Sequence, residues 1–419
     1  MYNFLHMTKT STSKNPRLFY LDWLRVIAFG ILVLVNCAEV FASPHWWIAN
    51  TETNQTIADV LKFFRQWRMP LLFIISGVAV SILLEKRSII QFIDDRLTRI
   101  LIPLVSGMII VVPPMIFFIW RFDGSLEPIQ DFYLRLLTPE WFPRGNFHWL
   151  HLWYLAFIFI FSIAILPVIS LLKTKGGQAV LAAVTIVMSR PAVLFPVILL
   201  LHLPYYVTLN FVSSDNITDL LYYIPYFLFG TLFFKQSQIR EVFMQNRRAA
   251  LISGTVTTII LYSFVWLQSD TSAISPGIQR WVEGPLLLPL ISLNQWFWVI
   301  GLSGLAIRYL NFGSKFLTYA NGVVYPLYIL HQTIIIALAY YLIPMDASIL
   351  TKFCLIFTGT FTIILLTYEV LLKRFTILKL MFGIKTDVKL SESFPRSVVY
   401  VSKFLPHLSL IKRKSVDPS

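Results

Sequence analysis

Groups able to move protons, hold an oxyanion or bind phosphate sit inside otherwise apolar stretches of this chain. Of its seven histidines, His6 and His407 lie near the ends and His45 follows the first apolar run; His148 and His151 open the fourth, and His202 lies in the fifth. His331 is embedded in the ninth, within Tyr325-Pro326-Leu327-Tyr328-Ile329-Leu330-His331-Gln332. An imidazole in hydrocarbon is costly unless paired, so His331 reads either as a functional group or as a hydrogen bond joining two helices. Leu21-Asp22-Trp23-Leu24-Arg25 opens a run that carries Asn36 deep inside it and ends at Glu39. Hydrocarbon cannot satisfy such groups, so Arg25, Asn36 and Glu39 must face other helices, the water interface or a wet cavity.

A helix rises ~1.5 Å per residue, which puts Asn36 ~24 Å from the cytoplasmic start of its span, in the outer half of the membrane. His148 and His151 enter from that side, and His331 falls near the midplane. On the cytoplasmic face, Asp94-Asp95-Arg96-Leu97-Thr98-Arg99 precedes Pro103. Arg96 and Arg99 share a helical face and, with Arg25, could hold phosphates; ordinary anchoring of positive charge at the cytoplasmic surface explains them equally well.

The elements that must position these groups follow from composition. Of 419 residues, 57% are hydrophobic and 13% charged, which is the composition of an integral membrane protein. The net charge of +14 is carried by loops between apolar spans, so it does not indicate nucleic acid. Ten spans of about 20 residues are expected, at 20–42, 63–84, 100–120, 149–172, 191–211, 217–234, 249–267, 286–307, 322–343 and 350–372. Residues 178–189 read as a surface helix or as part of the fifth span, where Pro191, Pro196 and Pro204 warn of kinks. Alternate loops carry 26 Lys and Arg on one side against 4 on the other, which places both termini in the cytoplasm.

Three regions are expected: a disordered cytoplasmic tail at 1–17, a transmembrane domain at 18–372 and a basic cytoplasmic tail at 373–419 suited to anionic headgroups. A cleaved signal peptide is the rival reading of the N-terminal region, but a retained first helix fits better, since no soluble domain follows it. Trp46, Trp47, Trp141, Trp149 and Trp153 near the outer span ends read as interfacial anchors. Cys37 and Cys354 lie in apolar spans and support neither a disulfide framework nor a metal site, and no metal is expected. The chain lacks a phosphate-cradling Gly-rich loop, H-E-x-x-H and G-x-S-x-G. An all-α, ten-span protein with a polar interior fits a transporter or an intramembrane enzyme.

The motifs resemble those of the membrane acyltransferases called acyltransferase family 3, and within it the branch similar to periplasmic-glucan succinyltransferases. The matching stretches are Leu21-Asp22-Trp23-Leu24-Arg25, Trp67-Arg68-Met69-Pro70-Leu71-Leu72-Phe73 through Ser76-Gly77, Phe92 with Arg96, Arg99 and Pro103, His151-Leu152-Trp153-Tyr154-Leu155, and Tyr325 through Gln332. They run in family order over roughly residues 18–372. The resemblance implies transfer of an acyl group from a cytoplasmic donor, often acyl-coenzyme A as co-substrate with no bound cofactor, to a hydroxyl of a glycan or lipid. It also implies an integral protein of the bacterial inner membrane. Arg25, Arg96 and Arg99 would bind the donor; Asn36, His151 and His331 are the catalytic candidates; Asp22, Arg68, Tyr328 and Gln332 would be structural or substrate-lining.

One departure stands out. The family's first helix carries an Arg and, ten intervening residues later, a His regarded as catalytic; here that place is Asn36. Asn is no base near neutral pH, although its amide can donate to an oxyanion. Losing a general base typically costs ~10²–10⁴ in rate. Three outcomes are open: a neighbouring His such as His151 or His331 substitutes, the acceptor hydroxyl is activated differently, or the protein is a binding or regulatory relative without catalysis.

Overall fold

A computed structural model describes residues 18–135, 140, 147–209, 215–266 and 286–384. The tail at 1–17, Trp141, His6, His407 and most of the basic tail lie outside the described residues. What is described is helical. The long helices are α1 (Phe19–Glu39), α2 (Gln55–Lys86), α3 (Ile89–Phe122), α4 (Leu150–Leu172), α5 (Lys175–Met188), α6 (Asp215–Leu232), α7 (Ser237–Gln245), α8 (Arg247–Trp266), α9 (Leu287–Tyr309), α10 (Lys315–Leu342) and α11 (Ile349–Leu372), followed by the short α12 (Thr376–Met381).

Among the described residues, eight helices are long and apolar enough to cross a membrane, and nine if α6 and α7, bent by 114° at their junction, form one broken span. The protein is thus an all-α polytopic membrane protein, with fewer continuous spans than the ten expected. The difference lies at 191–211, which forms three short helices, Pro191–Leu194, Val197–Leu201 and Leu203–Thr208, and at 217–234, which falls largely in α6 of the bent pair. Pro196 and Pro204 supply no N–H to an i→i−4 ladder, so the helix restarts at each of them. Residues 178–189 fall largely within α5, a separate helix.

Local chemistry sets the starts of the helices that matter. Asn54 accepts from the Ile57 N–H at the head of α2, and Ser314 from the Leu317 N–H at the head of α10. In α3 the ladder widens to π turns at Leu97–Leu101 and Gly107–Val111, each followed within two residues by a proline, Pro103 and Pro113. Pro103 cannot donate to the carbonyl four residues back, that of Arg99, and Tyr325 Oη donates to it instead at 2.6 Å.

α1 packs against α2, α9, α10 and α11, while α2 crosses α6 closely. At that crossing a Cβ on Gly77 would run into Phe227 O, and one on Gly230 into Ile74 O, so only glycine permits the approach. α10 is pinned to α3 by Thr333 Oγ1 donating to Val111 O at 2.7 Å. α1, α2, α4 and α10 therefore surround a common interior.

Candidate active site

α1 presents Arg25 and Asn36 on one face, since eleven residues are close to three turns, and about 16 Å apart. At the outer end of that face, Asn36 Nδ2 lies 3.0 Å from His331 Nε2 and 2.9 Å from Gln332 Oε1, both on α10. The tautomer of His331 follows from its other nitrogen. Nδ1 is 2.6 Å from Tyr328 O, a carbonyl that can only accept, so Nδ1 carries the proton and Nε2 offers its lone pair to Asn36. Both amide hydrogens of Asn36 and both ring nitrogens of His331 are thereby engaged.

His151, from the start of α4, stands with its ring centroid 5.5 Å from that of His331. Its Nε2 is 2.9 Å from Ile329 O and must donate; its Nδ1 lone pair is buried and has no hydrogen-bond partner among the described residues. Tyr328 Oη fixes the same turn by donating to His151 O at 2.5 Å. The backbone before it is unusual: Leu150 has φ +34°, costly for a side chain with a Cβ, in a 3₁₀ turn of Leu150–Leu152. The Leu150 N–H donates to His148 Nδ1 at 2.8 Å, and Leu152 N–H to Trp149 O at 2.6 Å. Burial lowers the pKa of His148 from its ordinary value, which keeps Nδ1 unprotonated and able to accept.

Beyond Asn36 the wall is ionic. Glu39, 2% exposed, takes Arg65 Nε at 2.8 Å and is also bonded by Arg65 Nη2. Arg68, one helical turn further along α2 and 8% exposed, lies within electrostatic reach of Glu39, Tyr223 and His331. Its Nε and Nη1 are buried and make no hydrogen bond among the described residues. Gln332 Nε2 is likewise buried and unpartnered.

Toward the N-terminal end of α1 the interior is lined by aromatics. Phe29 of α1 packs edge-on against Tyr154 and Tyr328, and Tyr154 Oη meets Ser76 Oγ at 2.7 Å and donates to Leu72 O at 3.2 Å. Arg25 pairs with Asp22 at 3.7 Å and acts electrostatically on Tyr154. The buried Asp95 gathers three arginines: Arg96 Nη2 at 2.7 Å, Arg99 Nε at 3.2 Å and Arg87 Nη1 at 3.6 Å. Arg99 is 40% exposed, so it can serve Asp95 and still face solvent, whereas Arg96 is folded inward over the Phe92 ring.

The structure therefore brings Asn36, His151, His331, Tyr328 and Gln332 into one cluster with Arg68 beside it. Arg25 with Asp22, and Arg96 with Arg99, form separate groups toward the other end of the bundle. Sequence reasoning missed Arg65, although its spacing of three from Arg68 inside an apolar span was a signal, and it gave Ser76 and Tyr154 no role. Trp153 packs against Phe73, Phe157 and Tyr223 within the bundle, which is more than an interfacial anchor does. Lys352, on α11, reaches Asn50 Oδ1 at 3.2 Å and Ile343 O at 2.7 Å and braces the outer loops.

With this geometry in hand, comparison with known proteins is informative. The family profile described as Acyltransferase domain, that of acyltransferase family 3, matches residues 18–369. Similar curated proteins include the glucans biosynthesis protein C of Salmonella agona (strain SL483) and of Salmonella enteritidis PT4 (strain P125109). Each is 21% identical over 396 residues, covering 89% of this chain and 96% of the relative. No solved structure matches the chain. The chain belongs to acyltransferase family 3 and is an acyl-transferring membrane enzyme.

Proposed function

Starting from that membership, we propose that the protein moves an acyl group from a cytoplasmic thioester such as acyl-coenzyme A to a hydroxyl of an envelope glycan, using His151 as general base. The observation that carries this reading is the free, buried Nδ1 lone pair of His151 beside the place where the family has its histidine. The imidazole lost at position 36 is thus supplied from α4, with the carboxamide of Asn36 holding His331 and Gln332 in place.

The layout supports transfer across the bilayer. Arg25 and Arg99 hold the donor's phosphates at the cytoplasmic end, where charge-assisted hydrogen bonds are strong. The donor's slender arm follows the face of α1 past Phe29, Tyr154 and Tyr328 for about 16 Å to reach Asn36. A glycan hydroxyl entering from outside gives its proton to His151 Nδ1 as its oxygen attacks the thioester carbonyl. The tetrahedral intermediate then collapses, the C–S bond breaks and the imidazolium protonates the departing sulfur. The glycan acceptor is favoured by the relatives named for glucan biosynthesis.

The test uses purified protein in liposomes, labelled short-chain acyl-coenzyme A donors and oligosaccharide acceptors from envelope glucans. Label should pass to glycan with wild type and fall by ~10²–10⁴ with His151→Gln, the usual worth of a general base. Transfer that persists in His151→Gln would dismiss His151 as the base. Failure of wild type on every donor and acceptor pair would dismiss the substrate assignment.

A further inference from the structure

The tetrahedral oxygen formed during acyl transfer needs hydrogen-bond donors, and Asn36 has none to give. Both of its amide hydrogens are committed, to His331 Nε2 and Gln332 Oε1. Two other groups in the cluster have the opposite property. Arg68 carries two buried nitrogens without partners among the described residues, and Gln332 Nε2 is a third such buried donor. Leaving such donors unpaired is costly, more so for a charged group, unless a ligand supplies the acceptor.

Charge sharpens the point. Glu39 is bonded to the half-exposed Arg65 and, among the described residues, is the carboxylate that acts on the buried Arg68, so two guanidiniums share one carboxylate and the wall keeps one positive charge. In a buried setting that surplus asks for one negative charge. The chemistry beside it creates one: when the hydroxyl loses its proton to His151 and attacks, the carbonyl π pair moves onto oxygen. The unpaired lone pair of His151 Nδ1 and the unpaired N–H groups of Arg68 and Gln332 are complementary to the two ends of that event, a hydroxyl that donates and an oxyanion that accepts.

We propose that Arg68 and Gln332 form the oxyanion-binding donors of this enzyme, with Arg68 as a catalytic residue contacting the reacting oxygen. The proposal rests on the acyl-transfer reading above but assigns the stabilising groups independently of which acyl chain or glycan is used. Donors aimed at developing charge strengthen their interaction in the transition state and leave ground-state binding nearly unchanged.

The experiment separates these states with two non-reactive probes. One is a thioether analogue of acyl-coenzyme A, which keeps the ground-state shape; the other is a phosphonate analogue, tetrahedral and anionic at the acyl position. Arg68→Gln should lower kcat by ~10²–10³, the usual cost of losing one oxyanion donor. It should weaken the phosphonate by a similar factor and leave thioether affinity and the donor KM within about threefold, as expected when only transition-state contacts are lost. Arg68→Lys, which keeps the charge but loses the fork, should fall between, and Gln332→Leu should weaken the phosphonate selectively. Thermal unfolding in detergent identifies variants that fold.

If the thioether and the phosphonate weaken equally in folded Arg68→Gln, Arg68 holds a standing anion of the substrate and the proposal is overturned. If wild type transfers no acyl group to any tested acceptor yet binds the phosphonate in an Arg68-dependent way, the substrate assignment fails while the anion site stands. Phosphonate binding that ignores Arg68 removes the site whatever the acceptor proves to be.

Discussion

Asn36 gives its two amide hydrogens to neighbouring residues of α10, one to His331 Nε2 at 3.0 Å and one to Gln332 Oε1 at 2.9 Å. That fork ties α1 to α10 at the level of His151. It also decides which imidazole is free: His331 receives a hydrogen on Nε2 and gives one from Nδ1, so the lone pair left for chemistry belongs to His151. In the proposed mechanism the carboxamide acts as a positioning group, and a base one helix away takes the proton.

The fork predicts an asymmetry between two substitutions. Asn36→Ala leaves two buried acceptors bare, at roughly 1–3 kcal/mol each, and should lower both thermal stability and turnover. Asn36→His restores the family's residue type but gives a neutral ring a single N–H, which can serve only one of the two acceptors. With His151 as base, turnover of Asn36→His should stay within about tenfold of wild type, short of the ~10²-fold or greater gain expected if a base were missing. A gain of that size would return the missing base to position 36.

Much of this was legible because a membrane makes polar residues conspicuous. Asn36, His331 and Arg25 drew attention as groups that hydrocarbon cannot satisfy, and each has a partner or a specific neighbour in the structure. The family motifs placed His151 and Gln332 in the site. What sequence could not give was the pairing across helices. Each ring donates one N–H to a carbonyl of α10, Tyr328 O or Ile329 O, and it is the Asn36 amide that takes the remaining lone pair of His331 and leaves that of His151. The arginines at 96 and 99 looked equivalent on one face; the buried Asp95 sets Arg96 inward and leaves Arg99 at the surface. The fifth span failed as a continuous helix because two prolines outweighed its hydrophobic composition.

Arg65 makes a sharper test of the ionic wall. Its removal frees the buried Glu39 to turn to Arg68, so Arg65→Gln should remain folded with little change in thermal unfolding. The new partner would occupy the N–H groups proposed for the oxyanion, and kcat should drop by about tenfold or more. Glu39→Gln does the reverse. It leaves two cations without their carboxylate and should lower the unfolding temperature more than Arg65→Gln, because a buried charge stripped of its partner is expensive. Equal unfolding temperatures in the two variants would show that Glu39 does not compensate Arg68.

At the cytoplasmic end, Arg25→Gln and Arg99→Gln should each weaken coenzyme A binding, with a smaller effect at high salt because phosphate contacts are largely electrostatic. Isothermal titration at two ionic strengths reads this directly. Arg96, committed to Asp95, should matter more for stability than for affinity. Unchanged coenzyme A affinity in both folded variants would return Arg25 and Arg99 to anchoring the helices.

Orientation follows from the loop charges. A reporter fused after Ser419 should be cytoplasmic, and one inserted near Thr53 should face outside. Reporters on the same side of the membrane would overturn the proposed direction of transfer along with the topology.

The turn ahead of His151 supplies a pH test that needs no knowledge of the acceptor. The Leu150 N–H donates to His148 Nδ1 at 2.8 Å and holds the φ +34° of Leu150, which in turn sets how His151 enters the cluster. Burial lowers the His148 pKa below its ordinary value near 6.5. A depressed folded value means that the turn's contribution is fully present above the unperturbed pKa and is lost as pH falls through the lower one, when Nδ1 gains a proton and can no longer accept. In His148→Asn the side-chain oxygen can take the place of Nδ1 and does not titrate in this range. Above about pH 7, where histidine is largely neutral, the variant and wild type should have similar turnover. Below about 6.5 the ratio of variant to wild-type activity should rise, with its midpoint displaced to the acid side of the ordinary histidine value. Protonation of His151 depresses both proteins alike and cancels in the ratio. A ratio that stays flat from about pH 8 to 4.5, across the whole histidine range, would separate the strained turn from catalysis.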